Sequence, residues 1–231
     1  MLPVRNPAAV WSLALPGQPG PPMDNLATQY RSITEHEMTN LTITGGVDPD
    51  PVPRALIRKV CEAGTFAPSG GNRQPWNFIA VTEPERRAFV AERYRRGFAA
   101  YIAPALEEMK RPEFPQAKRR NVRAALHLSE HMHEVPVHLF VAGWLRRGEP
   151  QLQALFPAVQ NVLLACRAVG LGASLTTVHR TFGDEIDAFL GLPKDRPSCA
   201  LLPIGWPIGR YGRPPRRPVD ECLHWERLGG G

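Results

Sequence analysis

Between residues 67 and 76 the chain reads Ala67-Pro68-Ser69-Gly70-Gly71-Asn72-Arg73-Gln74-Pro75-Trp76. Glycine lets a backbone approach a ligand closely, because it has no Cβ. Hydroxyl and amide side chains beside such a turn supply directed donors and acceptors. A loop of this kind suits a flat, polar ring system. Pro68, Ser69, Gly70, Gly71, Asn72 and Gln74 are therefore candidate cofactor-binding residues, with Ser69 and Asn72 foremost. Gln74 equally serves to brace the loop. The alternative is a tight helix-to-strand turn whose only task is to bury Trp76.

Two other groups carry potential chemistry. His127 and His131 lie four residues apart on a helical pattern, a spacing that can bind zinc, with Glu130 or Glu134 as completing ligands. No His-Glu-x-x-His or neighbouring Cys accompanies them, and His133 falls on another face. A solvated helix face is the plainer reading, and no metal is expected. Arg210, Arg213, Arg216 and Arg217 form a basic stretch near the C-terminus. It reads as a solvated tail, an acidic-surface contact or a phosphate grip. Cys61, Cys166, Cys199 and Cys222 are widely spaced without Cys-x-x-Cys, which reads as free thiols of a cytoplasmic protein.

The elements that must hold these residues follow from periodicity. A helix over about 53–64, with Leu56, Ile57 and Val60 on one face and Gly64 as its stop, leads into the loop. A strand over 77–81 leaves it, and a charged helix starts at Glu83-Pro84-Glu85. Residues 97–115 resist placement because Pro104, Pro112 and Pro115 interrupt the pattern. A helix over 117–133 precedes a buried strand over 135–142. The next helix, about 156–169, is apolar on most faces and ends at Gly170, which suits a left-handed cap. A strand over 173–178, a short helix over 184–190 and a last strand over 199–205 complete the pattern. The Pro/Arg-rich tail keeps Leu223 and Trp225, which suggests that it lies along another surface.

The chain has 231 residues, 43% hydrophobic and 22% charged, with a net charge of +6. That is enough for one sizeable core. No apolar run reaches the roughly 18 residues of a membrane span. The basic residues are scattered without interleaved aromatics, so the charge suits anionic small molecules and gives no reason to expect nucleic acid. Residues 1–37 lack periodicity and read as a disordered leader or upstream extension, with Met23 or Met38 as alternative starts. Ala8–Leu15 is a poor signal-peptide core. The domain is expected over 38–231. There is no GxGxxG after a first strand and no Walker-type loop, which argues against dinucleotide Rossmann and P-loop enzymes and leaves a layered α+β fold.

Three blocks together resemble the FMN-dependent nitroreductase family. They are the 67–76 loop, the stretch from Gln160-Asn161 to Gly170-Leu171-Gly172-Ala173, and Pro203-Ile204-Gly205-Trp206-Pro207 followed by Arg213, Arg216 and Arg217. The resemblance implies a mixed sheet flanked by helices with a long central apolar helix, in a homodimer with FMN at the subunit interface. It implies NAD(P)H as co-substrate and ping-pong hydride transfer through flavin N5 to an electron-poor small acceptor such as a nitroaromatic or quinone. Leu175, Thr176 and Thr177 match the stretch near the flavin ring. Arg216 and Arg217, with Arg213, match the position that binds the flavin phosphate. No residue is assigned a catalytic role. At the family's N-terminal basic motif this chain has Thr42-Ile43-Thr44-Gly45-Gly46, with no basic residue. Arg31-Ser32-Ile33-Thr34 matches its first half only with an insertion. A divergent member performing specialised dehydrogenation or flavin breakdown, and a non-catalytic flavin-sequestering dimer, are the alternatives.

Overall fold

The computed structural model describes residues 47–146, 148–208 and 216–229. Residues 1–46, with the expected leader and the N-terminal motif, lie outside the described residues. So do Arg210 and Arg213.

The fold centres on an antiparallel sheet in the order β1 (Val47–Asp48), β7 (Ser198–Pro207), β3 (Val137–Gly143), β2 (Trp76–Val81), with β6 (Gly172–Ala173) also paired to β7. Every strand pairing among the described residues is antiparallel, within the expected α+β layering of helices on a sheet. All of β3 is buried, as is Ser198–Gly205 of β7. Such strands read as continuous apolar runs because both faces are covered. Alternation still sorts the side chains. Val137, Leu139, Val141, Ala200, Leu202 and Ile204 face one core, and Phe140 and Leu201 face the other.

Helices α1 (Arg54–Thr65) and α4 (Leu152–Ala168) build the first core against the sheet, through Ile57, Val60, Val159, Val162 and Cys166. Helices α2 (Pro84–Met109) and α3 (Gln116–His131) build the second, together with α5 (Gly183–Phe189), through Val90, Tyr94, Phe98, Ile102, Val122 and Ile186. Arg87 ties the layers together, donating to the carbonyls of Thr82, His133 and Val135.

Four local expectations are corrected. Helix α2 runs through Pro104. A proline deletes one helical hydrogen bond, but Tyr94, Phe98 and Ile102 anchor the helix into the second core. Helix α4 starts at Leu152, four residues before the expected position, and carries Pro157 within it. The strand expected over 173–178 is paired only at Gly172–Ala173, with a single bridge from Thr176 to Leu201. Gly64 is not a helix stop but a packing residue inside α1, where a Cβ would sit 2.8 Å from both Phe78 and Val162. Gly170 does take the left-handed conformation, with φ 82°. Its N–H donates to the Arg167 carbonyl, and the next N–H, of Leu171, donates to Cys166, a Schellman closure.

Replacing Gly64 by Val overpacks the junction of α1, α4 and β2. The expected cost is about 1–3 kcal/mol, read from urea unfolding. A second expectation concerns His138 and His179, both fully buried. Burial lowers each to a pKa of about 4, helped at His179 by neighbouring Arg180 and opposed at His138 by its hydrogen bond to the Met132 carbonyl. The fold keeps both neutral while the unfolded chain protonates near its ordinary pKa of about 6.5. Their contribution is therefore complete above that pH and is lost as pH falls toward 4. Unfolding free energy is expected to drop by about 2 kcal/mol per histidine between pH 7.5 and 5, and a His138→Leu, His179→Leu double variant should flatten that slope.

Candidate functional site

The 67–76 loop is built by its own hydrogen bonds. Asn161 on α4 donates to the Ala63 carbonyl and so satisfies the carboxyl end of α1 where the loop begins. A short turn follows over Gly70–Asn72. Gly71 and Asn72 both have positive φ, 61° and 52°, as does Gln74 at 49°. Glycine and asparagine adopt this region readily, whereas a glutamine there is uncommon. Two bonds hold it. The Ser69 hydroxyl oxygen accepts the Gln74 N–H at 3.0 Å, and the Gln74 side-chain amide donates to Asn72 Oδ1 at 3.1 Å. Gln74 thus braces the loop. Trp76, buried, anchors the far end by pairing with Gly143 of β3.

Pro68, Ser69, Gly70 and Gly71 line a cavity of about 640 Å³. Its other walls come from Arg73 and Pro75, from Trp144 and β4 (Leu145–Arg146), which pairs with β5 (Glu149–Pro150) in a hairpin, and from Gln151 and the amino end of α4. Asn72 and Gln74 are exposed in the loop but do not line this cavity.

Leu175, Thr176 and Thr177 lie in a different cavity of about 290 Å³, between α2, α3 and the segment after β6. Thr176 is committed to the framework. Its backbone N–H and carbonyl bond to Leu201, each at 2.9 Å, and its hydroxyl oxygen meets the Val178 N–H and the Tyr94 hydroxyl. Leu175 and Thr177, on either side, are exposed. Tyr94, Phe98 and Tyr101 form an aromatic row along α2, with ring centroids 5.8 and 5.9 Å apart. Burial raises the Tyr94 hydroxyl above its ordinary pKa, partly offset by Thr176, so it stays protonated. The sequence reading missed this row because Pro104 obscured the helix that spaces it at i, i+4 and i+7. Arg216 and Arg217 are exposed and line neither cavity.

Three of the four thiols are held protonated, and the fourth, Cys222, is exposed and lines neither cavity. Burial pushes Cys61 to about 11, Cys166 to about 12 and Cys199 upward, and the thiolate is the reactive form. His127 and His131 stack at 4.1 Å, and His131 Nδ1 bonds the His127 carbonyl. Among the described residues, no cluster of three His, Cys, Asp or Glu could hold a metal. No helix among them is long and apolar enough to cross a membrane.

Replacing Ser69 by Ala removes the acceptor for the Gln74 N–H. The expected result is a loss of about 1 kcal/mol or less with faster hydrogen exchange at the Gln74 amide. Unchanged exchange would show that the loop does not depend on this bond.

Comparison with known proteins agrees with the architecture. The chain is 29% identical to 5,6-dimethylbenzimidazole synthase of Rhodospirillum rubrum over 181 residues, covering 78% of this chain and 80% of that one. It is 28% identical to an NADH dehydrogenase of Thermus thermophilus, covering 76% and 87%. Its fold matches that of the FMN-dependent nitroreductase NfnB from Mycobacterium smegmatis, solved in complex with NADPH. There the TM-score is 0.64 at 17% identity, over 87% of this chain and all of that one. Residues 46–206 match the model of the nitroreductase family, and the chain belongs to that family of flavoprotein oxidoreductases.

Proposed function

We propose that the protein is an FMN-dependent oxidoreductase that works as a homodimer, taking electrons from NAD(P)H and delivering them to an electron-poor small molecule. One observation carries this reading. The residues expected to contact the flavin fall into two separate cavities of one protomer, Pro68–Gly71 in one and Leu175–Thr177 in the other. A single copy therefore splits the site, and a second copy would unite a loop with a ring-facing segment. The tail fits the same arrangement. Val219, Leu223, Trp225 and Leu228 are exposed on the isolated chain, and apolar clusters of this kind mark surfaces that another molecule covers.

The residues present suit FMN. Backbone N–H groups at Gly70 and Gly71, with the Ser69 hydroxyl, offer hydrogen bonds to a polar ring edge, and Leu175 and Thr177 are exposed beside an uncharged aromatic wall. Arg216 and Arg217, permanently charged, suit its phosphate. FMN, when bound, supplies the hydride-accepting ring. The chain's part is to bind, to orient and to exclude water. Tyr94 holds Thr176, and with it the segment carrying Leu175 and Thr177, at a fixed height over the sheet. Neither cavity is lined by an acidic side chain or a histidine, which suits a reaction that needs no protein acid or base.

A second reading draws on the Rhodospirillum rubrum relative, whose named product, 5,6-dimethylbenzimidazole, shares a dimethylated benzene ring with flavin. In that case the flavin itself would be consumed.

The purified protein, mixed with FMN and passed through a gel-filtration column, is expected to retain flavin absorbance and to elute as a dimer. FMN at a hundredfold excess over its Kd should stabilise it by about 2.7 kcal/mol. Anaerobic NADH or NADPH should bleach the bound flavin, and adding an acceptor should restore it. A colourless protein with no thermal gain from FMN would overturn the reading. Loss of flavin by chromatography, with benzimidazole formed, would favour the second.

A further inference from the structure

The larger cavity extends well past the flavin loop. Beyond Gly71 its walls carry Arg73, Trp144, Arg146 and Gln151, and no acidic side chain lines it. The two arginines stand apart from others in the fold. Arg87 is bound to three carbonyls, Arg119 caps the carbonyls of Met109, Arg111 and Phe114, and Arg93 and Arg180 are paired with Glu185 and Asp187. Arg73 and Arg146 have no ion pair among the described residues. Glu149 lies opposite Arg146 in the hairpin register, yet the two do not bridge. The fold thus brings two guanidinium groups from distant parts of the sequence to one cavity and gives neither an ion pair among the described residues.

The register explains the meeting. Trp76 pairs with Gly143, so the residues just before β2 lie beside those just after β3. Arg73 belongs to the first group, and Trp144 and Arg146 to the second. Trp144 keeps 38% of its surface exposed, with the Arg196 guanidinium 5.7 Å from its ring centroid, and Gln151 adds an amide.

Two guanidiniums, an amide and an accessible indole are the chemistry of phosphorylated-nucleotide recognition. Guanidinium binds phosphate bidentately and keeps its charge. An indole face stacks on a base. We propose that Arg73 and Arg146 hold the phosphate of a nucleotide in this cavity. The hairpin's place outside the flavin loop favours the adenylate end of the dinucleotide donor, with the phosphate of FMN as the other source. The proposal rests on the flavin reading only for which nucleotide it is.

Calorimetry reads the site without turnover. The probes are 2′,5′-ADP, ADP, FMN and riboflavin, titrated into the full-length protein and into Arg73→Gln and Arg146→Gln variants. The expected result is binding of 2′,5′-ADP that weakens about tenfold in each variant, equal to about 1.4 kcal/mol, and that weakens further with added salt. An Arg146→Lys variant should regain part of it. If FMN weakens tenfold while riboflavin does not, the phosphate held is the flavin's and the site stands. If the wild-type protein binds no adenosine phosphate and the variants hold FMN as well as it does, the proposal is overturned, including the case where a second copy's tail fills the cavity. A protein that binds 2′,5′-ADP but never retains flavin would keep this site and sink the flavin reading alone. Thermal melts of the variants should match the wild type, since both arginines are exposed.

Discussion

The ladder between β3 and β7 is the constraint on which the rest of the molecule depends. Both strands are buried on two faces, so neither can slip by one residue without moving every side chain into the wrong core. That fixed register carries the site. At one end Gly143 accepts Trp76 as its neighbour and so sets the loop and the hairpin side by side. On β7, Leu201 takes both backbone groups of Thr176 and sets the second cavity's floor. Gly143 itself shows how tight the arrangement is. A Cβ there would lie 2.6 Å from Leu155, so β3 and α4 approach only because the side chain is absent.

Legibility in the sequence tracked how local the determining physics is. The strands expected over 135–142 and 199–205 were readable because burial on both faces leaves an apolar run, and the one over 77–81 was readable as a short apolar run directly after the loop. The cap at Gly170 was readable because a left-handed residue after an apolar helix has a strong chemical preference. Gly64 was misread because the same residue type also serves close packing, and only the positions of Phe78 and Val162 distinguish the two uses. Residues 97–109 were obscured because proline is a local veto that tertiary contacts override. With that helix went the aromatic row of Tyr94, Phe98 and Tyr101. The candidate site was legible only where residue type alone marks a loop. Ser69, Gly70 and Gly71 could be named from their types, while Trp144 and Arg146 are ordinary surface residues until strand register sets them against the loop.

The division of the expected flavin contacts between two cavities bears on stability as well as function. A loop with three special demands within four residues, positive φ at Gly71, Asn72 and Gln74, stores strain that a single protomer offsets with two side-chain bonds. Strain of this sort is retained where the surrounding structure over-determines it, commonly at ligand sites. Ser69 is part of that lock, since its oxygen already accepts the Gln74 N–H. Its hydroxyl hydrogen is the part left to offer a ligand, and this makes Ser69 a donor toward the cavity in this conformation.

That donor fits the wider electrostatic pattern. The polar side chains lining the larger cavity, Ser69, Arg73, Arg146, Gln151 and Gln153, can all donate and none is anionic, and the smaller is lined by aromatic, aliphatic and hydroxyl groups without charge. Buried thiols are held protonated and buried histidines neutral. On the proposed reading, a site lined this way has little means of acid–base or nucleophilic catalysis. It is suited instead to stabilising negative charge that builds on a bound ring, which is where preorganised donors contribute most. If the proposed reading holds, the identity of the acceptor is a question of what fits against Tyr94, Phe98 and Tyr101, and the identity of the donor a question of what Arg73 and Arg146 hold.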